Sequence, residues 1–155
     1  MKTLIVFYSR TNVTKKIAEA LATQLDADLE QIKSVKSYAG PIGYLMAGRE
    51  ATLRKSTDIE PTAKNPADYD LVVVGTPIWS FNMSSPVRAY LEQQKDNLKK
   101  VAFFCTMGGS GDLRAFADMT KAGGQESVAR LTLLTKEVTE NKFSDKLKEF
   151  TDKLS

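Results

Sequence analysis

The chain predicts a doubly wound α/β fold: five strands alternating with helices, hence a parallel sheet covered on both faces. Two observations carry this expectation. Short runs rich in β-branched and aromatic residues alternate with segments of helical periodicity along the whole sequence. The strongest runs, Leu71-Val72-Val73-Val74 and Val101-Ala102-Phe103-Phe104-Cys105, are continuously apolar, as in strands buried on both faces of a parallel sheet. With 155 residues, 42% hydrophobic and 26% charged, the chain suits one soluble domain spanning 1–155.

The first strand, Leu4 to Tyr8, gives way to Ser9-Arg10-Thr11-Asn12-Val13-Thr14, and a helix comes next with Ile17, Leu21 and Leu25 on one face. Asp28–Ile32 reads as a short second strand. Residues 33–66 hold no convincing long element, because Gly40, Pro41, Gly43 and Gly48 interrupt them; a short helix is expected only near Ala51–Lys55. This segment carries six basic residues against three acidic ones. Tyr69–Gly75 is the third strand. Ser85 and Pro86 read as cap and first residue of a helix bearing Val87, Tyr90 and Leu91. Lys100–Cys105 is the fourth strand, and Asp112 caps a helix that Gly123-Gly124 stops. Val128–Leu134 is the fifth, and Ser144 caps a last helix with Leu147, Phe150 and Leu154 as its apolar stripe.

Ligands of such folds sit beyond the carboxyl ends of the strands, where the strand order reverses. Three strand ends are chemically distinctive: Ser9–Thr14, Thr76-Pro77-Ile78-Trp79-Ser80-Phe81-Asn82-Met83, and Thr106-Met107-Gly108-Gly109-Ser110-Gly111. The first joins a strand to a helix N-terminus through three hydroxyls. Free backbone N–H groups and the helix dipole make such a volume suit a phosphate, although an ordinary capped turn would use the same residues.

The composition excludes several chemistries. There is no histidine and only one cysteine, so no zinc site, disulfide framework or His-activated nucleophile is expected. A catalytic role would rest on a bound cofactor. No P-loop motif stands after any strand, no glycine stands after the first one, and Cys105 is not followed six residues later by arginine. At the end of the third strand Gly75-Thr76 stands where a receiver domain would carry its phosphoacceptor aspartate. A net charge of +3 is too small for a nucleic-acid footprint, and no apolar run approaches a membrane span. Without a secretory pattern at Met1-Lys2-Thr3, a cytoplasmic protein is the simplest expectation.

Ser9-x-Thr11-x-x-Thr14, with Thr76-Pro77-Ile78-Trp79, Asn82-Met83 and Ser85-Pro86 and then a Gly-rich third loop, resembles the flavodoxin family over essentially the whole chain. The resemblance implies strand order 2-1-3-4-5 and FMN as cofactor. It assigns cofactor binding to Ser9, Arg10, Thr11, Asn12, Val13, Thr14, Thr76, Pro77, Ile78, Trp79, Ser80, Phe81, Asn82, Thr106, Met107, Gly108, Gly109 and Gly111. Asn12 replaces the usual glycine of the phosphate loop, and Asn is the least penalised substitute if that position needs positive φ. Phosphate loops of this family are typically uncharged, so the Arg10 side chain is expected in solvent. Trp79 is expected in a loop, stacked on the flavin or else packed as a core aromatic.

Electron carriers of this family are typically strongly acidic. Here pI is about 8.9, and neither loop, Thr76–Met83 nor Thr106–Gly111, contains a carboxylate. Three functions are therefore expected: an electron carrier using the flavin, an FMN-dependent oxidoreductase acting on a quinone or similar acceptor, and a flavin-free binding module. The partner would be a redox protein or a small-molecule acceptor, with neither nucleic acid nor membrane involved.

Overall fold

A computed structural model describes residues 1–154 of the chain. Five strands run parallel in spatial order β2-β1-β3-β5-β6: β1 (Thr3–Phe7), β2 (Asp28–Gln31), β3 (Leu71–Trp79), β5 (Val101–Met107) and β6 (Arg130–Leu134). Counting parallel strands alone, this is the expected 2-1-3-4-5. A short strand not foreseen, β4 (Asn82–Met83), turns back antiparallel on the tip of β3, pairing Trp79 with Asn82.

Alternation along each strand divides the interior into two cores. Leu4, Val6, Val72, Val74, Phe103 and Cys105 face one side. There they meet α2 (Gly40–Thr52), α3 (Ser85–Gln94) and α4 (Asp112–Gly123). Ile5, Phe7, Val73, Ala102 and Phe104 face the other, against α1 (Val13–Leu25), α5 (Thr135–Thr139) and α6 (Ser144–Asp152). Gly75 lies opposite Phe104 in the β3–β5 register, and a Cβ built on it would run into the Phe104 ring. Gly75→Ala is therefore expected to lower unfolding free energy by about 1–3 kcal/mol, read from urea denaturation.

Several expectations are corrected. Residues 33–66 contain a full 13-residue helix, α2, where only Ala51–Lys55 was expected to be helical. Pro41 stands in its first turn, where the missing N–H costs nothing. Gly43 is required because any Cβ would strike the Tyr38 backbone, so close packing outweighs the weak propensity of its glycines. β3 runs on through Thr76–Trp79, expected as loop, because Thr76 and Pro77 pair with Cys105 and Thr106 of β5 and β4 partners the tip beyond them. Ser85, Asp112 and Ser144, expected as caps, are first helical residues; Ser84, Gly111 and Phe143 precede them. The strand placed at Val128–Leu134 begins at Arg130. α5 continues directly from it, Leu134 N–H donating to Glu137 Oε2 at 2.8 Å.

Candidate functional site

Between β1 and α1 the chain turns through Asn12 at φ 68°, and α1 begins with no side-chain cap. Lys15 N–H donates to Ser9 Oγ at 3.2 Å. The amides of Val13 and Thr14 find no acceptor among the described residues, so donors at a positive helix end remain available. Thr14, 1% exposed, shares a hydrogen bond of 2.8 Å with the Thr106 hydroxyl, which joins the first strand end to the third.

These groups border an open cleft of about 200 Å³. Arg10, Thr11, Val13 and Thr14 line it from the first loop. Pro77, Ile78 and Trp79 line it from the second, and Thr106 from the third. Tyr44 of α2 and Thr135 of α5 complete the wall. Neither was singled out from sequence; Tyr44 sits on a helix that glycine and proline had disguised, and Thr135 comes after a strand whose end looked ordinary.

Other expected residues lie elsewhere. Thr76 is fully buried, its hydroxyl donating to the Pro77 carbonyl at 2.8 Å and accepting from Ser84 N–H at 3.0 Å. Asn82 is equally buried; its Oδ1 accepts from Met83 N–H and its amide donates to Asp118 Oδ2, both at 2.8 Å. Phe81 stands exposed on the β3–β4 turn, where Ser80 and Phe81 both adopt positive φ. That turn backs onto Gly111, whose φ of 112° and closeness to the Phe81 backbone exclude a side chain. Met107 ends β5 and is nearly buried, while Gly108 and Gly109 are exposed.

Arg10 does not point into solvent. Its Nε donates to the Tyr38 carbonyl at 2.8 Å and its Nη2 to the Gly40 carbonyl at 3.3 Å, with the guanidinium over the Tyr44 ring at 5.4 Å. These acceptors lie at the start of α2, so one cation fastens the first loop to the segment beside the cleft. Trp79 belongs to a strand end, not a loop, and is 8% exposed. Its ring meets Tyr8 edge-on at 5.5 Å and Tyr38 at 4.9 Å, so it packs in the core while one side borders the cleft. Burial, then the neighbouring Tyr38, pushes the Tyr8 hydroxyl up to about 12.

Two partly buried polar networks brace α2 and the β3–β4 turn. The Tyr38 hydroxyl donates to Glu50 Oε2 at 2.7 Å, and Lys36 Nζ lies 3.1 Å from Oε1 of the same carboxylate. Asp118 of α4 accepts from Arg54 Nε at 2.8 Å, Arg88 at 3.4 Å and Asn82, anchoring the β3–β4 turn. Burial raises the Asp118 carboxyl, but these three donors outweigh it and hold its pKa below the ordinary value. Cys105 is fully buried, and desolvation lifts its thiol to about 12.

Among the described residues there is no cluster of three metal-ligating side chains, and no helix is long and apolar enough to cross a membrane. A family model described as Flavodoxin matches residues 2–153. A flavoprotein from Lactobacillus acidophilus NCFM, solved in complex with FMN, is 26% identical. The match covers 90% of this chain and 97% of that one, with a TM-score of 0.74. A candidate flavoprotein of Bacteroides eggerthii DSM 20697 shares the fold at 21% identity, covering 97% of this chain and 98% of that one, with a TM-score of 0.72. An NADH:FMN oxidoreductase in its apo form does so at 16% identity, covering 99% and 86%, with a TM-score of 0.60.

Proposed function

Because this chain belongs to the flavodoxin family, with FMN as its cofactor, we propose that it is a one-domain redox protein passing electrons through flavin held in the Thr14–Thr106 cleft. The observation that carries the reading is that all three strand ends line one cleft, the first and third tied by a hydroxyl pair, beside the uncapped N-terminus of α1. The donor set fits a phosphate: two buried hydroxyls and free helix amides, with no carboxylate in the cleft wall.

FMN supplies the electron-transfer chemistry when bound. The chain's own residues have separate tasks. Thr11, Thr14 and the amides of Val13 and Thr14 hold the phosphate. Ile78, Trp79 and Tyr44 offer apolar and aromatic surface to the ring system and exclude water from one side. Arg10 keeps Tyr44 in place through the start of α2. The electron-transfer partner is a redox protein or a small-molecule acceptor, and a lone buried thiol without disulfides fits a cytoplasmic setting.

A second reading, an oxidoreductase that reduces a quinone or similar acceptor, is favoured by the same carboxylate-free wall. Without a nearby carboxylate, reduced and anionic flavin is repelled less than in an acidic site. The experiment is an ultraviolet–visible spectrum of the purified protein before and after FMN addition and dialysis. Retained flavin bands with quenched Trp79 fluorescence are expected. A protein that stays colourless is instead a flavin-free binding module. NAD(P)H-dependent turnover of a quinone without a separate reductase then selects the second reading over the first.

A further inference from the structure

α2 is amphipathic the wrong way round. Its buried positions are Gly43, Ala47, Glu50 and Ala51, mostly small. Apart from Met46, which packs against the core, its large apolar residues face outward: Ile42 is 77% exposed, Leu45 71% and Tyr44 66%, with Leu53 at the C-cap 52% exposed. Helices normally turn such residues to the core. Here Tyr44, Leu45 and Leu53 border a groove of about 400 Å³ between α2 and the strained Ser80–Phe81 turn. That size lies within the range of small-molecule sites, ~300–1,000 Å³.

We infer that this groove is a binding site for a small aromatic anion, seated beside the flavin cleft. Three observations select that occupant. First, Tyr44 lines both the groove and the cleft, so the two spaces share one aromatic wall. Second, the groove's charge is positive. Arg49 lines it and Arg10 lies over Tyr44, whereas the carboxylate of Glu50 is turned inward and engaged by Tyr38 and Lys36. No acidic residue lines the groove. Third, Gly48 leaves the groove open. A Cβ there would meet only the Ser80 hydroxyl, at 2.8 Å, and glycine inside a helix costs ~1 kcal/mol relative to alanine.

Apolar walls of Tyr44, Leu45 and Leu53 would take the ring system, and the Arg49 guanidinium its acidic group. The inference deepens the oxidoreductase reading by giving the class of acceptor. Binding itself is independent of that reading; only the transfer of electrons to the bound acceptor rests on it.

The test is calorimetric titration of FMN-loaded protein with anthraquinone-2-sulfonate, flat, apolar and anionic. One-to-one binding is expected. Arg49→Gln should weaken it about tenfold, the loss of one charge-assisted hydrogen bond. Gly48→Leu, which fills the groove, should abolish it. Lys99→Gln, exposed at the opposite end of the strands, should leave it unchanged. Arg49 is exposed, so its variant tests the site even if Gly48→Leu fails to fold. Flavin absorbance in the same cell separates two failures. FMN lost on dialysis overturns the cofactor reading. FMN retained with no probe binding, or with binding that Arg49→Gln leaves unmoved, overturns the groove. Unaltered probe affinity in a variant that slows electron delivery from a reductase protein would give the face to a macromolecule, and overturns it also.

Discussion

Thr14→Val is expected to weaken FMN binding by about ten- to a hundredfold while changing riboflavin binding little. The substitution keeps the shape of a side chain that is 1% exposed and removes only its hydroxyl. Hydrogen bonds to charged groups contribute ~1.5–3 kcal/mol, and each 1.4 kcal/mol is tenfold in affinity. Riboflavin lacks the phosphate, so it reports whatever the change does to the ring environment. Fluorescence titration of the apoprotein with both ligands measures the difference. Equal losses for the two would reduce Thr14 to a tie between loops through Thr106 and remove it from the phosphate site.

Asp118→Ala is expected to destabilise the fold by about 3–5 kcal/mol, the usual consequence of stranding a buried charge. The Arg88 side chain is 8% exposed and Asp118's 14%. Arg88 Nε already lacks an acceptor among the described residues, so removing Asp118 leaves the guanidinium almost bare. The same change frees Asn82 and loosens the turn carrying Phe81. Urea denaturation gives the stability loss. The pH dependence has a definite sign. Since the folded carboxyl titrates below its ordinary value, its contribution is complete above the ordinary carboxylate range. It is lost as pH falls through the lowered folded pKa. The acid limb of the wild-type stability curve should therefore be flatter in Asp118→Asn.

The parallel sheet was legible because its strands are buried on both faces and leave continuous apolar runs, as at Leu71–Val74. That three strand ends line one cleft was legible from their place after strands and from their hydroxyls. α2 was not. Its helicity depends on Gly43 fitting against the Tyr38 backbone and on Arg10 holding the carbonyls at its start, contacts that no local propensity encodes. Tyr44 was missed for that reason. Arg10 reads as a solvated cation because its acceptors lie 28 and 30 residues away. Thr76 and Asn82 carry the right chemistry at the right loop, yet both spend it inside the protein. Sequence places a residue near a strand end; which way it turns depends on partners such as Ser84 and, from α4, Asp118, which no motif marks.

The burial of Cys105 decides how this molecule meets oxidative stress. A thiol titrating near 12 carries almost no thiolate at neutral pH, and peroxides and alkylating agents attack the thiolate. With no second cysteine, an internal disulfide cannot form. Peroxide and iodoacetamide should leave the intact mass at Cys105 unchanged while the fold holds. Any thiol-based redox signal is thus closed to this protein, and what its cofactor gains or loses leaves no covalent record on the cysteine.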